Sequence, residues 1–276
     1  MNRKAISPTL VRGLHGRERM VDKILSPSEV FMKHLDNLLE IPRHAKQWLK
    51  FAGTTLHYGL MDPFNPLSAG QDAALSGWSC RVLDILGIQV FATGLENVHH
   101  HRSQIFFVNH QSNIDILILG ATVPVPFFWL YKHTLNRMPI IGWQLRRQGH
   151  VSIVRHDRHS AMGSLEKAAR MVREGKNLLV FPEGTRSGSP KMGPFKKGVF
   201  HLALAARVPI VPVSIAHSWK IMPRGTLKLH PTSVQVRFHP ALETTGYDLQ
   251  SLPDLMERVR VVLAEGLLRD GDPQEG

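Results

Sequence analysis

The sequence predicts an α/β fold: a mainly parallel mixed sheet flanked by helices, preceded by an N-terminal amphipathic helical segment. Two observations support this prediction. From about Gln71 onward, short apolar runs alternate with stretches of helical periodicity. One run, Ile105-Phe106-Phe107-Val108, contains no polar residue, which is typical of a strand covered by helices on both faces. Residues 1–70 instead show helical periodicity with little strand character.

The chain has 276 residues, of which 43% are hydrophobic and 20% charged, a composition typical of globular proteins. That length accommodates one large domain with an appendage. We therefore divide the chain into residues 1–70, a helical segment predicted to lie on a membrane surface, and residues 71–276, the main domain.

The N-terminal segment carries two apolar helical stripes separated by Pro42, which breaks or kinks a helix. The stripes consist of Phe31, Leu35, Leu38 and Leu39, and of Ala45, Trp48, Leu49, Ala52 and Leu56. Basic residues lie close to the second stripe. A basic helix with Trp and Phe suits a membrane interface, and packing on the domain core is the alternative.

Apolar runs and helical spacing predict the elements of the main domain in order. The predicted strands are Ile88–Ala92, Gln104–Val108, Phe127–Tyr131, Val151–Val154, Asn177–Phe181, Ile210–Ile215 and Val234–Phe238. The predicted helices are Ala73–Leu86, Asn113–Gly120, Ile140–Gln148, Ser160–Glu174, Lys197–Ala206 and a last one with Leu252 and Leu263 on its apolar face. We expect Ser160 to cap its helix and Gly175 to end it.

The net charge of +12, from 34 Lys and Arg against 22 Asp and Glu, predicts an anionic partner: nucleic acid, an anionic membrane or a phosphorylated substrate.

The single cysteine, Cys80, excludes an intramolecular disulfide, is typical of a reducing compartment, and is expected to be buried. The longest uncharged stretch, between Asp115 and Lys132, has 16 residues and two prolines. Because this is short for a membrane span, we expect no transmembrane helix.

A histidine and an aspartate five residues apart, His110 and Asp115, follow the strand predicted to end at Val108. Residues at this spacing do not meet on one helix face, so contact requires His110 in the turn before a helix and Asp115 in its first turn. Ser112 or Asn113 as N-cap gives that arrangement. Asp115 then accepts the Nδ1 proton and leaves Nε2 of His110 as a general base.

A second string, Phe-Pro-Glu-Gly-Thr-Arg-Ser at residues 181–187, leaves another predicted strand. Gly184 permits close backbone approach to a ligand, and Arg186 offers a planar fork for phosphate. Glu183 is predicted to hold a substrate hydroxyl or a neighbouring cation. A base beside a phosphate-holding loop indicates acyl transfer to a phosphorylated alcohol.

Two further cationic positions lie at element ends: Arg155 follows a predicted strand, and Lys196 and Lys197 open a predicted helix. We expect Arg155 and one of the two lysines to converge with Arg186 on one phosphate. The triplet His99-His100-His101 predicts a polar turn rather than a metal site, because adjacent histidines point in different directions and lack accompanying ligands.

Four segments resemble, in order, the motifs of the glycerolipid acyltransferases, in particular the 1-acyl-glycerol-3-phosphate (lysophosphatidic acid) acyltransferases. The segments are Asn109–Asp115, Gly149–Arg155, Phe181–Ser187 and Val208–Val213. The resemblance covers roughly residues 76–240. The second segment departs from the family pattern, with Ser152 and Val154 where aromatic and acidic residues are common.

The resemblance implies transfer of a fatty acyl chain from acyl-CoA or acyl carrier protein to the sn-2 hydroxyl of lysophosphatidic acid, giving phosphatidic acid. It implies a direct mechanism with His110 as base, oriented by Asp115, and no metal or covalent cofactor. Donors near Gly184 and Thr185 are expected to stabilise the oxyanion.

By the same resemblance, Arg155, Arg186 and Lys196 hold the phosphate of a lysophospholipid acceptor. Family members often carry N-terminal membrane helices, whereas residues 1–70 here are amphipathic. We therefore expect peripheral attachment to an anionic membrane surface, on its cytoplasmic face.

Three alternatives were weighed. In the first, the acceptor is another lysolipid, such as lysophosphatidylethanolamine or a lyso-aminolipid. In the second, the protein binds membrane lipids without catalysis. Nucleic-acid binding is motivated by charge alone, and because no binding motif accompanies it, we expect no nucleic-acid partner.

Overall fold

The main domain is built on a mixed sheet whose strands are mostly parallel. The computed structural model describes residues 45–58, 70–138, 141–223, 225–226 and 228–269. In this part of the chain the strands are β1 Gln89–Thr93, β2 Ile105–Val108, β3 Phe127–Lys132, β4 Val151–Ile153, β5 Asn177–Val180, β6 Ile210–Ala216 and β7 Ser233–Phe238. They form a seven-stranded sheet in the order β1-β7-β6-β2-β5-β3-β4.

Strands β2 to β6 run parallel to one another, whereas β7 pairs with β6 in the antiparallel direction and β1 pairs with β7 in parallel. The carboxyl ends of the five parallel strands therefore meet at one edge of the sheet, which we call the carboxyl edge. Ligands bind at this edge in open α/β sheets, and His110 follows β2 there. The predicted mainly parallel mixed sheet is confirmed.

Helices cover both faces of the sheet, as predicted. The described helices are α1 at residues 45–58, α2 Gly70–Leu86, α3 Asp115–Thr122, α4 Ile141–Arg147, α5 Arg158–Arg173, α6 Lys197–Ala206, α7 Ser218–Ile221 and α8 Leu252–Arg269, with 3₁₀ helices at Leu95–Asn97 and His133–Arg137. Helices α2 and α3 contribute to the apolar core on one face, and α5, α6 and α8 contribute to the core on the other. Strand β2 supplies Phe106 to the first core and Phe107 to the second, which explains its uninterrupted apolar sequence.

Helix α1 packs on the domain through one side. Trp48 and Phe51 lie against the core, and Thr55 accepts a hydrogen bond from the indole of Trp78 in α2 at 3.2 Å. Leu49, in contrast, is 75% exposed. The other predicted stripe, Pro42 and the predicted division at residue 70 depend on residues 1–44 and 59–69, which lie outside the described residues.

Two smaller predictions are wrong. Helix α5 begins at Arg158, because Asp157 is its N-cap and accepts the backbone N–H of His159 at 3.0 Å. Ser160, the predicted cap, lies inside the helix and donates its hydroxyl to Asp157. Cys80 is exposed on α2 rather than buried. No helix within the described ranges has both the length and the apolar character needed to cross a membrane.

Candidate active site

The carboxyl end of β2 is fixed to β6 by Asn109. The buried side chain of Asn109 accepts the backbone N–H of Ile215 at 2.7 Å and donates to its carbonyl at 2.9 Å. This amide pairs with the neighbouring strand as a backbone peptide does, so the chain leaves the sheet at a defined point. His110 is the next residue and lies in the turn before α3.

Asp115 is fully buried and organises that turn. Its Oδ2 accepts three N–H groups: Nδ1 of His110 at 2.9 Å, and the backbone amides of Gln111 at 2.8 Å and Ser112 at 2.9 Å. Because a carboxylate only accepts, Nδ1 of His110 carries the proton and Nε2 of the neutral ring has a free lone pair. The structure thus brings His110 and Asp115 together in the arrangement predicted from their spacing.

The predicted N-cap of α3 is wrong, however. Neither Ser112 nor Asn113 takes that position, which belongs to Ile114, and no side chain caps the helix there. Oγ of Ser112 accepts the backbone N–H of Ile114 at 3.4 Å, and the side chain of Asp115 turns back to the amides of Gln111 and Ser112, which precede the helix.

The loop after β5 surrounds His110 on three sides. The ring of Phe181 stacks on the imidazole, with centroids 3.9 Å apart and an angle of 17° between planes. Oε1 of Glu183 accepts the backbone N–H of His110 at 2.8 Å, and the backbone N–H of Ser187 donates to the carbonyl of His110 at 2.8 Å. The histidine is therefore held by its ring and by both of its backbone polar groups.

Glu183 has a different position from the predicted one. It is 2% exposed, and its second oxygen accepts the backbone N–H of Gly193 at 2.6 Å. Burial raises the pKa of Glu183, and the two amide donors from His110 and Gly193 oppose that rise. Because both of its oxygens accept backbone N–H groups, Glu183 braces His110 instead of lying open to a substrate hydroxyl.

A residue of the last helix extends this brace, and sequence reasoning missed it. Nη2 of Arg260 in α8 donates to the carbonyl of Gly193 at 2.9 Å, while its guanidinium lies over the ring of Phe195 at 4.1 Å. Arg260 is 67 residues from Gly193 in sequence, so no local pattern signals the contact.

Two of the three predicted cations lie against Gly184. The guanidinium of Arg155 donates to the carbonyl of Gly184, and Cγ of Lys196 would lie 3.4 Å from a Cβ placed on Gly184. Arg186 follows two residues later and is half-buried. Within the described residues, none of these three cations forms an ion pair with a carboxylate. The arrangement is therefore suited to an anionic group from outside the chain.

Of the two predicted oxyanion donors, Gly184 already uses its backbone N–H within the turn. Gly184 has a positive φ of 68°, and its N–H already donates to the carbonyl of Phe181 at 2.9 Å, so it is used within the turn. Thr185 is exposed. Within the described ranges, no group of three His, Cys, Asp or Glu side chains could hold a metal ion, so His99–His101 do not form such a group.

The segment before β4 contains a buried histidine. His150 stacks on Trp129 of β3, with ring centroids 4.5 Å apart, and its Nε2 lies 3.1 Å from Oε1 of Gln148. Burial lowers the pKa of His150 from 6.5 to about 4, so the ring is neutral at physiological pH. His150 is thus a packed ring of the β3–β4 side of the domain.

Fold and site together define a class: an α/β protein with a histidine–carboxylate pair at the carboxyl edge of its sheet, beside cations that form no ion pair within the described residues. A family model described as Acyltransferase matches residues 89–216. A 1-acyl-sn-glycerol-3-phosphate acyltransferase of Borreliella burgdorferi is 30% identical over 175 residues, covering 62% of this chain and 70% of the relative. The chain therefore belongs to the glycerolipid acyltransferase family.

The chain is also similar to two other proteins named as 1-acyl-sn-glycerol-3-phosphate (LPA) acyltransferases. A 1-acyl-sn-glycerol-3-phosphate acyltransferase of Limnanthes alba is 29% identical over 187 residues, 67% of this chain and 66% of the relative. The match thus spans just under two thirds of that relative's length. The crystal structure of the 1-acyl-sn-glycerophosphate (LPA) acyltransferase from Thermotoga maritima has a TM-score of 0.69 at 26% identity, covering 86% of this chain and 97% of that one.

Replacing Glu183 by Gln should disturb the base without removing it. A carboxamide presents an NH₂ group to one of the two backbone N–H groups that the carboxylate accepts. An unmatched buried donor costs about 1–3 kcal/mol, and we expect kcat to fall roughly 10- to 100-fold, since that cost displaces His110. Steady-state kinetics and thermal unfolding would be compared with Glu166→Gln, an exposed control. Unchanged kcat in a destabilised Glu183→Gln protein would contradict the bracing role.

Replacing His150 by Phe should make stability less sensitive to acid. The folded-state pKa of His150, about 4, lies below the unfolded value of 6.5, so its contribution is complete above pH 6.5 and is lost as the pH falls towards 4. The full loss is about 3 kcal/mol, of which about 2 kcal/mol is gone at pH 5. Urea unfolding at pH 7 and pH 5 measures it. Phe keeps a ring against Trp129 but does not titrate, whereas the exposed control His201→Phe should keep the wild-type loss. Equal losses in all three proteins would exclude His150 as the source.

Proposed function

We propose that this protein transfers a fatty acyl chain from a thioester donor, acyl-CoA or acyl carrier protein, to the sn-2 hydroxyl of lysophosphatidic acid. The observation that carries the proposal is the contact between Nδ1 of His110 and the buried carboxylate of Asp115, beside a loop whose cations have no carboxylate partner in the described chain. The names of the relatives in Borreliella burgdorferi and Thermotoga maritima support the same substrate class.

In the proposed reaction, Nε2 of His110 takes the proton of the sn-2 hydroxyl as its oxygen attacks the thioester carbonyl. The tetrahedral intermediate then collapses, the carbon–sulfur bond breaks, and the proton passes from His110 to the leaving thiolate. Asp115 stabilises the imidazolium that exists between these steps. The stack on Phe181 and the backbone contacts of His110 keep the ring in one orientation, which favours proton transfer along one direction.

The acceptor phosphate is proposed to bind among Arg155, Arg186 and Lys196. Arg155 and Lys196 both lie against Gly184, so the loop backbone approaches the same region as the cations. Each charge-assisted bond to phosphate is worth about 1.5–3 kcal/mol, which is enough to select phosphorylated acceptors over uncharged ones.

The first experiment is acyl transfer by the purified protein and by His110→Ala. We expect kcat to fall about 10²- to 10⁴-fold, because a positioned base contributes that factor. His201→Ala, which removes an exposed histidine of α6, is the matched control and should keep wild-type turnover. Liposome binding should be equal in all three proteins. A fully active His110→Ala protein would show that another group is the base, and turnover only with another lysolipid would move the protein to a sister activity.

A second experiment separates phosphate recognition from general binding. Arg186→Ala should raise KM for lysophosphatidic acid roughly 10- to 100-fold, since it removes a charge-assisted bond. KM for a monoacylglycerol, which lacks the phosphate, should change little. Arg170→Ala controls for the loss of one positive charge, because Arg170 is exposed and lies in the last turn of α5, which leads into the amino end of β5. Equal effects on both acceptors would remove Arg186 from the phosphate site.

A further inference from the structure

The connection between β3 and β4 exposes two large apolar side chains. It consists of the 3₁₀ helix His133–Arg137 and helix α4, and we call it the β3–β4 connection. Met138 is 43% exposed and Trp143 is 40% exposed. Neither residue belongs to the site described above.

The same region has a one-sided charge. Residues 116–156 contain no Asp or Glu, and they include five basic residues: Lys132, Arg137, Arg146, Arg147 and Arg155. The first four lie on or next to the β3–β4 connection and are exposed. The guanidinium of Arg147 lies 5.4 Å from the ring centroid of Trp143, so positive charge and aromatic surface are adjacent.

The two helices of the β3–β4 connection contact each other directly. Nη1 of Arg146 donates to the carbonyl of Asn136 at 3.2 Å, and the hydroxyl of Tyr131 donates to Oδ1 of Asn136 at 2.8 Å. A Cβ on Gly142 would lie 2.6 Å from the carbonyl oxygen of Asn136, so the two helices meet through their backbones. The exposed side chains therefore project from two helices that are packed together.

The β3–β4 connection also lies at the carboxyl edge, beside the site. Strand β4 pairs only with Leu130 to Lys132, the last three residues of β3, so the chain between the strands stays near that edge. Directly after β4, Arg155 contacts the carbonyl of Gly184 in the loop that surrounds His110. A flat partner covering the β3–β4 connection would thus lie next to the site.

We propose that the β3–β4 connection docks the protein on an anionic lipid bilayer, as a contact separate from residues 1–70. Trp and Met beside arginines match the headgroup region, where aromatic rings lie between water and acyl chains and basic residues meet anionic lipids. An acidic protein would match the charge and the exposed Met138 and Trp143 as well, but the β3–β4 connection lies beside a site whose proposed substrates are lipids, which favours the bilayer. The proposal rests on the proposed function in that lipid substrates would reach the site from such a surface.

A fluorophore at one position tests the contact directly. Cys80→Ser removes the only thiol, and Met138→Cys in that background is labelled with an environment-sensitive dye such as nitrobenzoxadiazole. Vesicles of equimolar phosphatidylcholine and phosphatidylglycerol should shift its emission to the blue, whereas phosphatidylcholine vesicles should not. The matched control is Leu249→Cys, which is 70% exposed and follows the antiparallel β7, at the opposite edge. No shift at position 138 in protein that co-sediments with the anionic vesicles would overturn the proposal.

Charge variants test whether the docking is local. Arg137→Gln/Arg147→Gln should lower partitioning to the anionic vesicles roughly 25-fold, since each basic residue near such a surface contributes about fivefold. Arg170→Gln/Arg173→Gln, in the last turn of α5, has the same net charge and should change partitioning little. Equal losses in both double variants would show attraction by net charge alone and overturn the local contact.

Acyl-transfer rates measured without vesicles test the proposed function independently of the docking surface. With a short-chain, water-soluble acceptor and no vesicles, Arg137→Gln/Arg147→Gln should match wild type. If wild type itself is inactive, the proposed function fails while the vesicle results still decide the docking. Loss of turnover with acyl carrier protein as donor, at unchanged vesicle binding, would assign the surface to an acidic protein instead and overturn the bilayer.

Discussion

The buried carboxylate of Asp115 is the constraint on which the site depends. A carboxylate without solvent is stable only where donors surround it, and three N–H groups converge on one of its oxygens. Two of these are backbone amides of the turn between β2 and α3, so the turn takes one conformation. The third is the ring of His110, whose orientation and tautomer follow from the same contact. The carboxylate of Asp115 therefore fixes the turn between β2 and α3 and the orientation of His110 within it.

A second buried carboxylate joins this turn to the rest of the domain. Glu183 leaves a different strand, accepts the N–H of His110 and accepts the N–H of Gly193, whose carbonyl is held by Arg260. Glu183, which follows β5, and Arg260, which lies in α8, thus both contribute to holding His110 although they are far apart in sequence. Since protein interiors are close-packed, a change at any of these points reaches His110 through a short series of contacts.

Local pattern was sufficient to predict what depends on local chemistry. The apolar run of β2 requires two covered faces, and the spacing of His110 and Asp115 requires a turn followed by a helix, so both were predictable. Asp157 and Ser160 are both good helix caps, and spacing alone does not choose between them. The pairing of β7 with β6, the partners of Glu183 and the contact of Arg260 depend on packing between distant segments. A single sequence contains no periodicity that reports such contacts.

The distribution of charge explains how buried carboxylates and an anion site coexist at one edge of the sheet. Had Asp115 or Glu183 paired with Arg155, Arg186 or Lys196, those cations would be neutralised and an incoming phosphate would compete with a carboxylate already in place. Instead both oxygens of Glu183 and one oxygen of Asp115 accept N–H groups of the backbone and of His110. The cations beside Gly184 therefore stay available to an external anion. In the proposed reaction, this separation lets one site hold an anionic acceptor and remove a proton from it.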